Sequence, residues 1–340
     1  MSKKILITGG LGFLGATLAK YLSQNRSSLL WEEGQDKIEQ IDILDAVLET
    51  PYRTSKFERE VDEILIEDLS DPESSKIIAQ RKYDTVFHLA SRVSAACYKN
   101  PKFEAENILA TKTVMEATSK ISISTDREVN VIFPGSCLEF ETPNNQTNYQ
   151  AFDYTKPNAR GAYGESKWLS EELALNYENV EFRGLRLPAV IASREPTSAA
   201  TAYTYNLPNA VMKKKEIKGM VSIKEDIINI TVPVPKNHKI PIIWIDDTIN
   251  GLIKIHNACK SDLRGFRVLN MTGISPTIGE IIEELRKYRN IESEYTVNPD
   301  TMAVVDGVAS YIKGETMESI GACPETGLKN IIKNIKKTCE

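Results

Sequence analysis

Lys4-Ile5-Leu6-Ile7-Thr8-Gly9-Gly10-Leu11-Gly12-Phe13-Leu14-Gly15 stands at the head of the chain, and its reading decides the fold. The apolar run Ile5-Leu6-Ile7 predicts the first strand of a parallel sheet. Leu14, Leu18 and Leu22, with Ala16 and Ala19, carry the spacing of a buried helix. A strand, a glycine turn and a helix start in that order form the dinucleotide-binding fingerprint. Glycine permits the tight backbone of the turn, and the helix N-terminus presents unpaired N–H groups to a pyrophosphate. The spacing of Gly9, Gly12 and Gly15 differs by one residue from the common G-x-G-x-x-G form. Gly9, Gly12, Phe13, Leu14 and Gly15 are the expected phosphate cradle.

The second strand is expected at Lys37-Ile38-Glu39-Gln40-Ile41-Asp42-Ile43. An acidic residue near its end accepts hydrogen bonds from the adenosine ribose hydroxyls and repels a 2′-phosphate. Asp42 takes that role here, which favours NAD over NADP, with Asp45 as the competing candidate.

Strands and helical patterns continue to alternate, the mark of a doubly wound parallel α/β sheet of the Rossmann kind. Ile64-Leu65-Ile66 leads into Asp68 and Leu69, where Asp68 can hydrogen-bond the adenine amino group. Thr85-Val86-Phe87-His88-Leu89-Ala90 runs out into Ala90 and Ser91, small enough for close approach of a cofactor. His88 lies inside that apolar strand and reads as a satisfied core histidine. Residues 103–118 have helical apolar spacing, with Asn107 as a polar contact near the cofactor. Val129-Asn130-Val131-Ile132-Phe133 delivers Pro134-Gly135-Ser136 at its carboxyl end, the edge where open α/β sheets bind ligands.

Tyr163 and Lys167 stand four apart in a segment of strong helix formers, so they share one helix face. A tyrosine hydroxyl is too weak an acid to serve as a base at neutral pH. A neighbouring ammonium stabilises the phenolate and lowers its pKa, and Ser136 adds a hydroxyl that orients a substrate oxygen. A dinucleotide cradle followed by Ser136, Tyr163 and Lys167 describes a hydride-transfer enzyme using NAD.

The composition agrees. A chain of 340 residues with 41% hydrophobic content can bury a large core and divide into two lobes. We expect residues 1–192, with 241–258 returning to them, to form the NAD-binding domain, and 193–240 with 259–340 the substrate lobe. A net charge of −5 argues against a general nucleic-acid or membrane surface, and neither a spanning apolar run nor a signal peptide is visible. Cys97, Cys137, Cys259, Cys323 and Cys339 lack C-x-x-C spacing and read as reduced thiols of a cytoplasmic protein. His88, His238 and His256 have no metal-ligand spacing, so no metal is expected. The run Lys213-Lys214-Lys215 reads as a solvated helix face, and Asp246 or Asp247 as a helix cap.

The chain resembles the extended short-chain dehydrogenase/reductases, the NAD-dependent epimerase/dehydratase superfamily. The resemblance is carried by the Thr8-Gly9-Gly10-Leu11-Gly12-Phe13-Leu14-Gly15 turn, Asp68-Leu69, His88-Leu89-Ala90, Ser136, and Tyr163 with Lys167. Within that superfamily it is most similar to the D-erythronate dehydrogenase type. Those segments are Leu185-Arg186-Leu187-Pro188-Ala189-Val190-Ile191 with Arg194 and Pro196, Thr231-Val232-Pro233-Val234-Pro235, and Ser275-Pro276-Thr277-Ile278-Gly279-Glu280. The resemblance implies that Leu69, Leu89, Pro188 and Val190 also face the cofactor. A sugar-acid carboxylate needs a cationic partner, and arginine suits two-pronged recognition. Arg194, followed by Ser198, is the candidate beside Ser136 and Tyr163, whereas Arg186 reads as a structural ion pair.

The implied reaction takes a proton from a 2-hydroxyl at Tyr163 while hydride passes to NAD, giving a 2-keto acid. A nucleotide-sugar epimerase with tightly held NAD uses the same pair; a non-catalytic NAD-binding protein on this fold commonly lacks Tyr or Lys. Val114, Met115, Trp168, Leu169 and Leu173 exceed one packing face on their helices. In the resembling family such helices pair across a two-fold axis, which implies a homodimer. Three departures stand out: Pro134-Gly135 replaces a hydroxyl-rich triplet before Ser136, His88-Leu89-Ala90-Ser91 is a loose cofactor turn, and 213–230 is long and charged.

Overall fold

Seven parallel strands make the central sheet of the computed structural model, which describes residues 2–27, 37–55, 57–93, 96–97, 100, 102–141, 149–159, 161–195 and 203–338. They are β1 (Ser2–Thr8), β2 (Lys37–Asp45), β3 (Glu63–Ile66), β4 (Thr85–His88), β5 (Asn130–Ser136), and the Glu181–Leu187 and Val268–Asn270 strands. Across the sheet the order is Val268–Asn270, Glu181–Leu187, β5, β4, β1, β2, β3. The chain therefore winds outward in one direction from β1 and in the other from β4. The crevice between their carboxyl ends is the switch point at which such sheets take ligands.

Alternation along each strand builds a core on both faces. Ile5 and Ile7 of β1 join Ile41, Ile43 and Phe87 on one side, under the Phe13–Gln24 and Ile245–Asn257 helices. Leu6 joins Leu44, Val86 and Val131 on the other, under the Ser74–Arg81, Lys102–Thr125 and Ala162–Leu175 helices. Val114 and Met115 are fully buried in this second face. They contribute nothing to an outer helix face, contrary to the expectation above; the exposed large apolar side chains on these helices are Leu109, Ile123 and Leu169.

A separate apolar core gathers Tyr203, Leu207, Ile230, Val232, Ile281, Ile282 and Ile335. It holds the Tyr203–Lys213 helix, a three-stranded sheet (Val221–Lys224, Ile227–Val232, Ile291–Tyr295) and the Ile278–Arg286 and Leu328–Lys337 helices. The expected division at 259 does not follow the sheet. Val268–Asn270 pairs in parallel with Gly184 to Arg186 and completes the dinucleotide side. Nor is the lysine run a solvated helix face. Lys213 ends its helix and Lys214 turns at a φ of 50°. Lys213 and Lys215 then pair with Glu195, and Lys214 pairs with Asp226. Trp244, not an aspartate, is the cap of the Ile245–Asn257 helix; Asp246 accepts from Trp244 Nε1 at 3.1 Å and Asp247 from Thr326 N at 3.1 Å. No described helix is long and apolar enough to cross a membrane.

Candidate active site

A cavity of about 700 Å³ runs along the carboxyl ends of β1, β2, β4 and β5. Behind its wall, Thr8 Oγ1 lies 2.8 Å from His88 Nδ1 and accepts the Ala90 N–H at 3.3 Å, tying the two switch-point strands together. His88 Nε2 meets Thr111 Oγ1 at 3.2 Å. Both ring nitrogens are used, and burial takes the pKa down to about 3, so His88 is a neutral core residue.

The glycine turn lies against this junction. Gly9 has a φ of 65°, and a Cβ there would sit 2.7 Å from Ala90 N. Close packing of the turn on β4 thus requires glycine. No side chain caps the Phe13–Gln24 helix, so N–H groups of its first turn are left for a ligand. Gly9, Gly12, Phe13, Leu14 and Gly15 all line the cavity, as do Asp68, Leu69, Leu89, Ala90, Asn107, Pro188 and Val190. Asn107 is fixed at both ends: Oδ1 accepts from Arg92 N at 2.7 Å and Nδ2 donates to Ser166 Oγ at 3.1 Å. It holds the turn after β4 against the helix of Tyr163.

Asp42 is not on the cavity wall. It is fully buried in mid-strand, its Oδ2 accepting from Tyr83 Oη at 2.6 Å and Gln40 Nε2 at 2.7 Å. The strand continues two residues past its expected end and delivers Asp45, the competing candidate, to the cavity. Asp45 Oδ2 accepts from Leu11 N at 3.0 Å and Oδ1 from Val47 N at 3.2 Å. Burial raises its carboxyl above the usual range, against the pull of these bonds. The cavity also takes in Arg92, Cys137 and Tyr205, which no local pattern had marked. Ser198 lies outside the described residues.

β5 ends at Ser136 in a reciprocal cap. Ser136 Oγ accepts from Leu138 N at 3.1 Å, and Glu139 Oε1 accepts from Ser136 N at 2.6 Å. Tyr163 and Lys167, one helical turn apart on Ala162–Leu175, line the same cavity. Lys167 Nζ donates to Pro134 O at 3.0 Å and lies 4.5 Å from the Phe133 ring centre and 5.8 Å from that of Tyr163. Burial draws Lys167 down to about 8, while Glu139 and Glu171 hold it up. Burial pushes the Tyr163 phenol up, and Glu139 adds to the rise. This is opposite to the lowering that the Tyr–Lys spacing suggested. Lys167 commits its hydrogen bond to Pro134, and the acids nearby oppose its charge. Arg186 is the buried ion pair expected, bonded to Glu139 at 2.7 Å and Glu171 at 2.6 Å.

Arg194 also lines the cavity. Its guanidinium carbon is 4.4 Å from the Phe13 ring centre and 3.5 Å from that of Tyr205. Its Nε is buried without a hydrogen-bond partner among the described residues. A cation held over two aromatic faces with a donor unspent is suited to a planar anion.

The model of the "NAD dependent epimerase/dehydratase family" matches residues 5–270. The chain belongs to that family. It is 26% identical over 294 residues to D-erythronate dehydrogenase of Cupriavidus necator, covering 83% of this chain and 81% of that protein. It is 24% identical over 316 residues to the mitochondrial L-threonine 3-dehydrogenase of Bos taurus, covering 89% and 74%. Among solved structures, the GalE-like L-threonine dehydrogenase of Cupriavidus necator in its holo form superposes with a TM-score of 0.78 at 19% identity, over 99% of this chain and all of the other.

NAD is the dinucleotide of this family member, and the residues present fit it. The uncapped helix start offers N–H groups to the pyrophosphate, and Asp45 ends the strand where a ribose-binding acid belongs. Asp45→Asn is expected to narrow the preference for NAD over NADP by about tenfold, equal to about 1.4 kcal/mol. Calorimetric titration of both dinucleotides measures it; the same ratio in Asp45→Asn as in wild type would remove Asp45 from the role.

Proposed function

We propose that this NAD-dependent dehydrogenase oxidises the 2-hydroxyl of a small sugar acid of the D-erythronate kind to a 2-keto acid. The observation that carries the reading is Arg194, a cation with an unspent Nε donor that lines the same cavity as Ser136, Tyr163 and Lys167. A carboxylate on Arg194 leaves the adjacent carbon and its hydroxyl to point toward the catalytic group. Relatives named D-erythronate dehydrogenase, at 26% and 25% identity, support the same class.

NAD supplies the hydride acceptor when bound. Tyr163 takes the proton of the substrate hydroxyl, as a positioned general base. Lys167, held by Pro134 O, keeps a positive charge beside the phenol. Ser136, fixed by its cap, orients the substrate oxygen. In this reading residues 1–192, residues 241–258 and the Val268–Asn270 strand carry NAD, and the separate apolar core carries the substrate side.

Arg194→Ala is expected to raise the Michaelis constant for the acid at least about tenfold, the loss of a charge-assisted contact, with NAD affinity retained. Steady-state kinetics and NAD titration together check it. An unchanged Michaelis constant would place the carboxylate elsewhere.

The proposal includes a homodimer formed through the Lys102–Thr125 and Ala162–Leu175 helices, where Leu109 and Leu169 are exposed. Light scattering at micromolar concentration should report twice the chain mass; the mass of a single chain would refute the dimer. It also places the protein in the cytoplasm, consistent with the free thiols of Cys97, Cys137 and Cys323.

A further inference from the structure

Glu139 takes no part in the reaction as drawn, yet it is fully buried three residues from Ser136. Its Oε1 accepts the Ser136 backbone N–H at 2.6 Å, and its Oε2 accepts from Arg186 Nε at 2.7 Å. Glu171, on the helix of Tyr163 and equally buried, faces the same guanidinium. Its Oε2 accepts from Arg186 Nη2 at 2.6 Å and from Nε at 3.1 Å, while its Oε1 meets no N–H or hydroxyl donor among the described residues and the two carboxyls lie within hydrogen-bond reach of each other. Two acids thus share one guanidinium out of reach of water, and a second buried negative charge would have no ion pair of its own among the described residues. One carboxyl keeps its proton. Glu139 has a backbone donor and Arg186 to favour its ionised form; Glu171 has the oxygen that meets no such donor. Gly135 makes room for both: a Cβ there would lie 2.5 Å from Glu171 Oε1 and 2.7 Å from Glu139 Oε1. The glycine that departs from the family pattern lets both carboxyls press against the strand that carries Ser136.

We propose that Glu139 is a positioning residue of this active site: it anchors Ser136 through the backbone and holds the ionised carboxylate of the Arg186 cluster on the side of Lys167 and Tyr163, while Glu171 carries the proton that the two acids share over Arg186. The catalytic meaning rests on Tyr163 being the proton-transfer group; the placement of charge does not.

The groups facing Lys167 and Tyr163 are few. Glu171 shares their helix, Glu139 and Cys137 come from the turn after β5, Cys97 from the segment after β4 and His88 from the end of β4, with Arg186 of the Glu181–Leu187 strand behind the two acids. His88 is neutral, burial holds Cys137 as a thiol by raising it to about 12, and burial also raises Cys97. Arg186 is engaged by the acids. Glu139 remains as the charge that raises both the Tyr163 phenol and the Lys167 amine.

Glu139→Gln keeps the shape and an acceptor for Ser136 N–H, and moves the ionised carboxylate to Glu171. Glu171→Gln removes the protonated partner and leaves the charge on Glu139. Two readouts separate them: the Lys167 amine titration by NMR of ε-¹³C-lysine protein, assigned with Lys167→Ala, and the pH profile of kcat for NAD-dependent oxidation of an aldonate. Losing the Glu139 charge makes both the phenol and the ammonium more acidic. The Lys167 midpoint should fall by about 0.5 or more, and both limbs of the profile should move to lower pH. Glu171→Gln should leave both at the wild-type position. An unmoved midpoint in Glu139→Gln, or an equal fall in Glu171→Gln, overturns the proposal. If Glu139→Gln does not fold, Glu171→Gln still decides: a lowered midpoint overturns it, and an unmoved one supports it. Tyr163→Phe tells the two ideas apart, since full turnover there defeats the functional reading while the amine titration still judges the charge.

Discussion

Tyr163→Phe should reduce kcat by about 10²–10⁴, the usual worth of a positioned proton-transfer group, and leave NAD affinity within about twofold of wild type. The substitution removes one hydroxyl and keeps the ring that lines the cavity near Lys167. Burial and Glu139 both disfavour the phenolate, so below its ionisation the rate should climb with pH as the base form is populated. Stopped-flow turnover with a parallel NAD titration makes the measurement. Near-normal turnover would mean that another group takes the proton.

Arg186→Leu should destabilise the protein by about 3–5 kcal/mol, the cost of leaving buried acids without their base. Glu139 and Glu171 are 0% and 1% exposed, and the Arg186 guanidinium is the cation that meets both. Burial already raises both carboxyls above their usual range. Without Arg186 each must be held protonated in the folded state, with its folded pKa above the unfolded one. Such a group contributes fully below the unfolded value, about 4.3 for glutamate, and its contribution is lost as pH rises toward the folded pKa. The destabilisation should therefore be smaller at pH 5 than at pH 8. Urea denaturation at the two values tests this; an equal loss at both would show that the cluster does not act through charge.

Much of the dinucleotide half was legible because its signals are local. The glycine turn, the apolar strand before it and the helix after it lie within one short stretch, and they form β1 and the Phe13–Gln24 helix. The choice of Asp42 failed for a definite reason. β2 is buried on both faces, so Ile41, Ile43 and Leu44 are all apolar and no alternation marks where the strand stops. Its end is set by pairing of Asp45 with Ile66 of β3, a contact that the β2 stretch does not announce. Val114 and Met115 misled in the same way, because their helix is buried against the sheet and two neighbouring helices. The Glu139, Glu171 and Arg186 cluster joins residues 47 and 15 positions apart. Its one local trace in the sequence is Gly135, which departs from the family pattern before Ser136 and leaves room for both carboxyls. Likewise the lysine run gave a helix signal, but Lys214 adopts a left-handed turn that no charge pattern encodes.

The central claim is best tested by incubating the purified protein with NAD and a panel of C4 to C6 aldonates, D-erythronate first, with L-threonine alongside, and following NADH at 340 nm. The expected result is steady NADH formation with at least one aldonate, abolished in Tyr163→Phe and weakened through the Michaelis constant in Arg194→Ala. NADH formation from L-threonine alone, or from no acid in the panel while NAD still binds, would contradict the account.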